Sequence, residues 1–527
     1  MRRCFLLILL IMASVFQAES RAQDSSQEVT FRIREYLIEG NTLFNTVRLT
    51  DVLDEFTGQG KTAQDVEQAR NRLERYYHDN GYPTVLVNIP EQSVEDGVIR
   101  LKVIEARIRS VRVTGNSYFT GEMIRKRLAS LKPGKVLYIP DVQKELAGVN
   151  SISSDLSVTP MIVPGDDLST VDVELKVEDS LPLHGSLALS NRGTHDTTDL
   201  RLNASMSYDN LWQKGHSASL QYQTAPEEPS EVQVYGGSYV LPAPWADSHI
   251  FAAYAITTDS ETAFGEGFQT VGEGFILGSR YIIPLPEYKA YSHNVTFGLD
   301  YKDFKEDTEL GEEQVVETPV ESRPLRVSHS STLRDKRGAP SFSLGVNAAF
   351  RQVVTDLDEF ADKRSGAKGS YIYLTAGVER MQQLPLGFTL MAGVDGQIAD
   401  QPLISNEQYI AGGMRNVRGY KESEESGDDA LHWTLELSCD ELAYSGEPGG
   451  TKLAVTPYVF CDGAVLGTID PLPGQDEQKT LHSTGLGFRG EVTGHLSLEG
   501  ALGVALEETE NTDQGHVEGH FLVTYRF

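Results

Sequence analysis

From Leu183 to Phe527, apolar and polar residues alternate in blocks of about ten, as in the strands of a membrane barrel, with turn-forming residues between the blocks. The stretch "HVEGHFLVTYRF" shows the pattern most plainly. Val517, Gly519, Phe521, Val523, Tyr525 and Phe527 share one face, and Glu518, His520, Leu522, Thr524 and Arg526 share the other. Side chains alternate across a strand, so the first face suits lipid and the second a wet interior. Strands are predicted near 183–191, 199–208, 216–224, 231–241, 248–257, 268–283, 292–304, 316–331, 340–350, 370–380, 387–399, 430–439, 452–463, 479–490, 494–505 and 516–527. That even number, sixteen, predicts an all-β antiparallel barrel over 183–527.

The connections carry a second signal. If the first strand runs outward, every second connection faces the periplasm. Those are "DNLWQKG", "LPAPWAD", "IPLPEYKAYS", "LRDKRGAP", "QQLPL", "ELAYSGEPGG" and "GEVTG", most of them short and turn-like and several with proline. Most of the others are longer and polar or acidic: Lys305–Gln314, Tyr420–Asp429 and Glu507–Gly515. Short inner turns and long outer loops are the asymmetry of outer-membrane barrels. A soluble β-sandwich explains the alternation but not this asymmetry.

Upstream of the alternating region the texture is helical, and it repeats. "YLIEGNTLF" (Tyr36–Phe44) and "VRVTGNSYF" (Val111–Phe119) share an apolar strand, a Gly-Asn turn, a small residue and an aromatic. Each is followed by two helical stretches and two strands. In the first copy Val66, Ala69, Leu73, Tyr76 and Tyr77 are spaced for one helix face, and Gly81 and Pro83 end the helix. In the second, Thr120–Ser130 and Pro140–Val149 are the predicted helices, and "LSVTPMIV" and "TVDVELKV" the strands. This β-α-α-β-β order, at 29–106 and 107–180, resembles the α+β POTRA domain. The resemblance implies sheet edges that accept an extended peptide as an added strand.

The N-terminus adds a compartment. Met1-Arg2-Arg3 precedes an apolar run from Cys4 to Phe16 and the small-residue site Ser20-Arg21-Ala22. This predicts a secretory signal over 1–22, cut after Ala22, with Ala18 as the alternative site. The run is shorter than the roughly 20 residues of a spanning helix. With 527 residues, two or three domains are expected. The net charge of −30 argues against a nucleic-acid partner, which needs basic patches.

Candidate chemistry is sparse. GxSxG, HExxH and GxxxxGK[ST] are absent from the sequence, so the chain reads as a non-enzyme with no cofactor and no metal. His516 and His520 would lie about 13 Å apart along a strand, too far to share one metal. Cys439 and Cys461 both fall on the outward parity. One is near the inner end of its strand and the other near the outer end, beyond the ~7 Å Cα limit of a disulfide. They are expected to stay unpaired.

One arginine stands out. Arg418 lies in "AGGMRNVRGYKESEESGDDALHWTLELS", between predicted membrane strands and next to glycine. Strand parity turns His432, Thr434, Glu436 and Ser438 into the lumen, and on the next strand Thr456, Tyr458, Phe460 and Asp462. Asp462 is expected at the outer end of its strand, within reach of a loop 411–430 folded inward. Such a loop is tolerated where it lines a water-filled cavity, and an Arg–carboxylate pair would hold it. Gly412, Gly413 and Gly419 permit the tight turns required.

"VRGY" (Val417–Tyr420) resembles the (V/I)RG(F/Y) loop motif of the superfamily of outer-membrane barrel assembly factors and two-partner secretion transporters. "FCDGA" (Phe460–Ala464) resembles its partner motif, aromatic-x-Asp-x-Gly, with Gly463 one position early and Ala464 where glycine is usual. Two POTRA-like units, sixteen strands and "YDNLWQKGHSASLQY" (Tyr208–Tyr222) are similar to the two-partner secretion (TpsB, haemolysin activation/secretion) family.

The resemblance implies an outer-membrane transporter with its POTRA units in the periplasm. It would recognise a large haemolysin- or adhesin-like partner polypeptide and export it, extended, through the barrel without ATP. It also implies contact with outer-membrane lipid and lipopolysaccharide. Insertion would be by the barrel assembly machinery, with Phe521, Val523, Tyr525 and Phe527 as signal. Val417, Arg418, Gly419, Tyr420, Phe460 and Asp462 would form the loop latch. The alternative is a barrel assembly or insertion factor, although such relatives usually carry more POTRA units. Some relatives thread a helix through the pore. Here only residues 23–28 separate Ala22 from the first POTRA strand, so no such helix is expected.

Overall fold

The computed structural model describes residues 29–527 except 95, 247, 260–261, 266–267, 272, 306, 310–314, 318, 351–357 and 446–451. The expected signal peptide, the segment 23–28 and much of the loop Lys305–Gln314 therefore lie outside the described residues. The chain divides into two compact units, one ending at Leu181 and one beginning at Pro182.

In the first unit, two three-stranded sheets each carry helices. The first sheet has the order Glu35–Glu39, Val98–Glu105, Val85–Asn88, and the second Arg107–Thr114, Thr170–Asp179, Leu156–Pro164. In both, the first strand pairs parallel and the last two pair antiparallel. The helix Ala63–Asp79 starts at a capping box between Thr62 and Asp65 and buries Val66, Ala69, Leu73 and Tyr77. The second copy places its helices at Gly121–Arg127 and Ile139–Asn150.

The repeated Gly-Asn turn has a common physical cause. Gly40 (φ 84°) and Gly115 (φ 85°) occupy the left-handed region, and a Cβ on either would strike a carbonyl of the adjacent strand, Val103 O or Val177 O. Asn41 Nδ2 donates to Phe44 O at 3.1 Å, and Asn116 Nδ2 to Phe119 O at 2.9 Å. A carboxylate closes each turn. Glu105 accepts from Thr42 N (2.7 Å) and Leu43 N (2.9 Å), and Asp179 from Ser117, Tyr118 and Phe119 N at 2.8–2.9 Å. An unforeseen two-stranded sheet pairs Phe31–Ile33 with Gly58–Lys61. The sequence Gly-Gln-Gly-Lys carries no apolar alternation by which to foresee it.

The second unit is a closed antiparallel barrel. Its sixteen strands are numbered β1 (Leu183–Ser190), β2 (Arg201–Leu211), β3 (His216–Thr224), β4 (Gln233–Pro242), β5 (Ile250–Asp259), β6 (Glu273–Pro284), β7 (Tyr291–Lys305) and β8 (Val320–Ser322 and Leu325–Leu333). They continue with β9 (Gly338–Ala349), β10 (Tyr371–Leu384), β11 (Phe388–Ala399), β12 (Asp429–Cys439), β13 (Lys452–Gly467), β14 (Gln478–Val492), β15 (Leu496–Ala505) and β16 (Val517–Arg526). Pro324, which cannot donate to a ladder, sits at the break in β8.

The predicted alternation is visible in the exposures. Leu220, Leu344, Leu486 and Leu502 are each more than half exposed on the outer face. In water such a surface would be a liability; lipid makes it the favourable one. The barrel closes by pairing β16 with β1, from Leu522↔Ser190 to Arg526↔Ser186. Phe527 N and O each bond the backbone of Gly185 at 3.0 Å, and its ring lies over that glycine. Phe527 and Tyr525 are exposed, and Phe521 and Val523 half-buried, all on the outward parity. Cys439 and Cys461 are unpaired.

Candidate functional site

The connection between β11 and β12 spans Asp400 to Asp428, and it does not stand off in solvent. Val417, Tyr420 and Asp428 are fully buried, and Arg418 is 6% exposed. Gly412 (φ 105°) and Gly413 (φ 112°) set the turn before the tip. The tip then lies against β14 and β15. A Cβ on Gly419 would come within 2.6 Å of Ser483 Cβ, and one on Gly503 would strike Arg418 O. Both glycines are required by this approach.

Arg418 is the centre of the contact. Its Nε and Nη2 donate to the two oxygens of Asp462 at 2.8 Å each, and its backbone N reaches Asp462 Oδ2 at 3.2 Å. Nη1 donates to Glu436 Oε2 at 2.9 Å and Nη2 to Thr434 Oγ1 at 3.3 Å. The guanidinium carbon stacks 3.8 Å from the Phe460 ring centroid. Arg489 completes the set, giving both terminal nitrogens to Glu436 at 2.5 and 2.9 Å. Two arginines therefore face two carboxylates, with Asp462 at 0% and Glu436 at 3% exposure. The planar fork of arginine is what permits the bidentate bond.

The six residues singled out by sequence thus come together. Val417 and Tyr420 pack with Ala411, Ala464, Leu466, Leu481 and Ala505. The Tyr420 hydroxyl lies 3.1 Å from His482 O and 2.9 Å from Glu507 O. Asp462 sits five residues before Gly467, the outer end of β13, rather than at that end, so the loop reaches deeper than expected. The shifted glycine also has a cause. A Cβ on Gly463 would strike the Trp433 ring on the outward face, while Ala464 faces the loop and is fully buried.

Glu436 was placed in the lumen by parity but given no role, and Arg489 was missed. The available signal was that both lie on inward positions of strands flanking β13. The acidic run after Tyr420 was expected as a polar outer loop. Instead it is tied down by partners from other segments. Lys421 Nζ meets Asp199 (2.8 Å), Arg192 Nε meets Glu422 (2.7 Å), His195 Nε2 meets Glu424 (2.6 Å) and Lys479 Nζ meets Glu425 (2.5 Å). Asp428 accepts from Arg364 Nη2 (2.6 Å), Leu403 N (2.9 Å) and Ile469 N (2.8 Å). His520 is buried on the inner face, and His516 lies 3.3 Å from Glu518.

Comparison with known proteins places this arrangement. The profile of the POTRA domain, ShlB-type, matches residues 31–106. That of the haemolysin secretion/activation protein ShlB/FhaC/HecB matches residues 169–490. The outer membrane transporter CdiB of Dickeya dadantii is 22% identical over 81% of this chain and 75% of its own length. The heme/hemopexin transporter protein HuxB of Haemophilus influenzae is 18% identical over 76% and 71%. The solved structure of CdiB from Escherichia coli superposes with a TM-score of 0.66 at 17% identity, covering 97% of this chain and 93% of that one. BamA from Haemophilus ducreyi lacking POTRA domains 1–3 gives 0.55 at 14% identity, covering 94% and 100%. The chain belongs to the ShlB/FhaC/HecB family of haemolysin secretion/activation proteins, outer-membrane transporters of two-partner secretion with POTRA domains in the periplasm.

Proposed function

We propose that this chain captures one large secreted polypeptide of the haemolysin or adhesin class and passes it through the barrel in extended form, with loop 411–430 as the latch. The observation carrying the latch is the buried set Arg418, Asp462, Glu436 and Arg489, which fastens a loop to the inner wall of a pore. The bidentate, charge-assisted bonds are directional and strong, and they keep the loop inside until a partner chain displaces it. Folding of the emerged chain is the driving force that this reading assigns to outward movement.

Capture falls to the first unit. Leu156–Pro164 is an edge strand of its sheet, and Met161, Ile162 and Val163 on it are exposed. An unpaired edge with apolar side chains suits strand addition by an extended segment. Lipid and lipopolysaccharide surround the outer apolar face, and the alternating run Phe521, Val523, Tyr525 and Phe527 serves insertion by the assembly machinery. The family is one of transporters, and we assign the chain no catalytic residue and no cofactor.

The experiment is co-expression with a candidate partner, a large secreted protein of the haemolysin or adhesin class. Secretion is expected with the intact transporter, and R418A is expected to impair it while the barrel stays inserted. Unchanged secretion by R418A removes the latch role. Failure of the intact chain to secrete, with other outer-membrane proteins depleted when it is deleted, would favour an assembly factor.

A further inference from the structure

The barrel interior holds a cavity of about 890 Å³ whose two sides differ in chemistry. Arg415, Arg418, Glu436, Arg489 and Glu499 line one side, and all five are engaged in ion pairs. The other side is formed by β7, β8 and β9. There the lining residues of inward parity are Ser292, Asn294, Ser330, Thr332, Ser341 and Ser343. Their parity is inward, because Phe297, Leu299, Val327, Phe342 and Leu344 on the alternate positions are exposed outside.

Register arranges these six in two rows across the three strands. Ser292 pairs with Thr332 and Thr332 with Ser341; Asn294 pairs with Ser330 and Ser330 with Ser343. Rows on one face lie about 6.7 Å apart along a strand, and columns about 4.8 Å apart. An extended polypeptide has the same 6.7 Å repeat on each of its faces. These six carry no charge; Glu379, which pairs with Ser341 from β10, and Glu287 line the same cavity, and Arg326, Asp300 and Lys302 lie further along the inner faces of β8 and β7. Elsewhere in the lumen, inward serines bond one another, as Ser186 with Ser205 and Ser219 with Ser238, both at 2.7 Å. Among the described residues, Ser330, Thr332, Ser341 and Ser343 have no such partner in the protein.

Hydroxyl and amide groups both donate and accept. They form bonds that water replaces at little cost, so a backbone sliding past finds a partner at every step and is held at none. A charged wall would trap side chains of opposite sign, and an apolar one would promote collapse. We propose that this uncharged six-residue patch on β7–β9 is a binding track for the extended polypeptide in transit; the assignment rests on the export reading above.

The test uses cells co-expressing the transporter and the large secreted partner that it exports, with a photo-crosslinking residue at Ser330 or Ser343. Ser438, inward on β12, and Val327, facing lipid, serve as comparison positions. Adducts with the partner are expected at 330 and 343 and not at 438 or 327. Export that continues with adducts at 438 and none at 330 or 343 overturns the track and leaves the export reading standing. Absence of any export by the unsubstituted chain defeats the export reading, and the track with it. As a second variant, S330D/S343D should insert normally, as judged by heat-modifiable migration. Its secretion should fall about tenfold, because two uncompensated carboxylates on the track capture water and cationic side chains. Unsubstituted levels of secretion by the inserted double variant would also overturn the assignment.

Discussion

In the first unit the buried positions are mostly apolar. Leu49, Leu73, Leu101, Ile124 and Leu175 are all fully enclosed, and the two buried carboxylates are Glu105, at a turn, and Asp172, paired with Arg109. In the barrel the order is inverted. Leucines cover the outside, while Arg201, Glu422, Glu424, Asp428, Glu436 and Asp462 are buried within. Both units are made of the same strands; what differs is which solvent lies on each face. The first is held by burial of apolar area, non-directional and tolerant of small shifts. The loop inside the barrel is held by directional, charge-assisted bonds, which fail once a partner is displaced. A recognition module benefits from the former, and a latch that must open benefits from the latter.

The sharpest way to break this contrast is within the ion-paired set. D462A leaves Arg418 without its bidentate partner in a buried site, and the inward position of the loop should weaken by about 3–5 kcal/mol. Proteolysis of the loop on intact cells reads this directly, and resistance equal to that of the parent would contradict it. In the R418A/D462A pair the combined loss should be smaller than the sum, because each single change already removes the shared bond.

The apolar unit is expected to respond differently. L73A should cost about 2–5 kcal/mol of stability in that unit and lower its unfolding temperature, leaving barrel insertion and loop protection unchanged. Loss of loop protection in L73A would mean that the two kinds of stabilisation are not separate. A smaller effect tests the repeat. E105A and D179A each strip a partly exposed turn of its charged acceptor, so each should cost about 1–2 kcal/mol, and the two values should be similar. A loss in only one copy would show that the turns are not equivalent.

The smallest expected effect is in acid. Hydrogen bonding by the Arg109 guanidinium and Ser110 hydroxyl holds the Asp172 carboxyl well below the usual range. A depressed folded-state value means that its stabilisation is present above the unfolded pKa, about 3.9. It disappears only as pH falls through the lower folded value. D172N should therefore be less stable than the parent above about pH 4, and the difference should shrink as pH falls below that, where the parent loses the contribution. Identical acid curves would refute the contribution.

Much of this architecture was legible because it is written in side-chain parity. All sixteen strands fall where the alternation put them, and inward placement of Asp462, Glu436 and Phe460 followed from the same count. The Gly-Asn repeat was legible because only glycine suits a backbone turned against a neighbouring carbonyl. What escaped involves contacts between segments distant in sequence. Arg489 is 53 residues from Glu436, and Arg192 and His195 lie some 230 residues before the carboxylates they meet. No periodicity encodes such pairs. The depth of the loop was likewise hidden, since it depends on Gly503 and Ser483 offering room on two other strands.

The central claim is that Arg418 holds loop 411–430, between β11 and β12, inside the pore. Single-channel conductance of the reconstituted full chain tests it most directly. R418A should open more often and to higher conductance than the parent, with R418K intermediate because a lysine keeps the charge but not the fork. A parent-like conductance trace from correctly inserted R418A would contradict it.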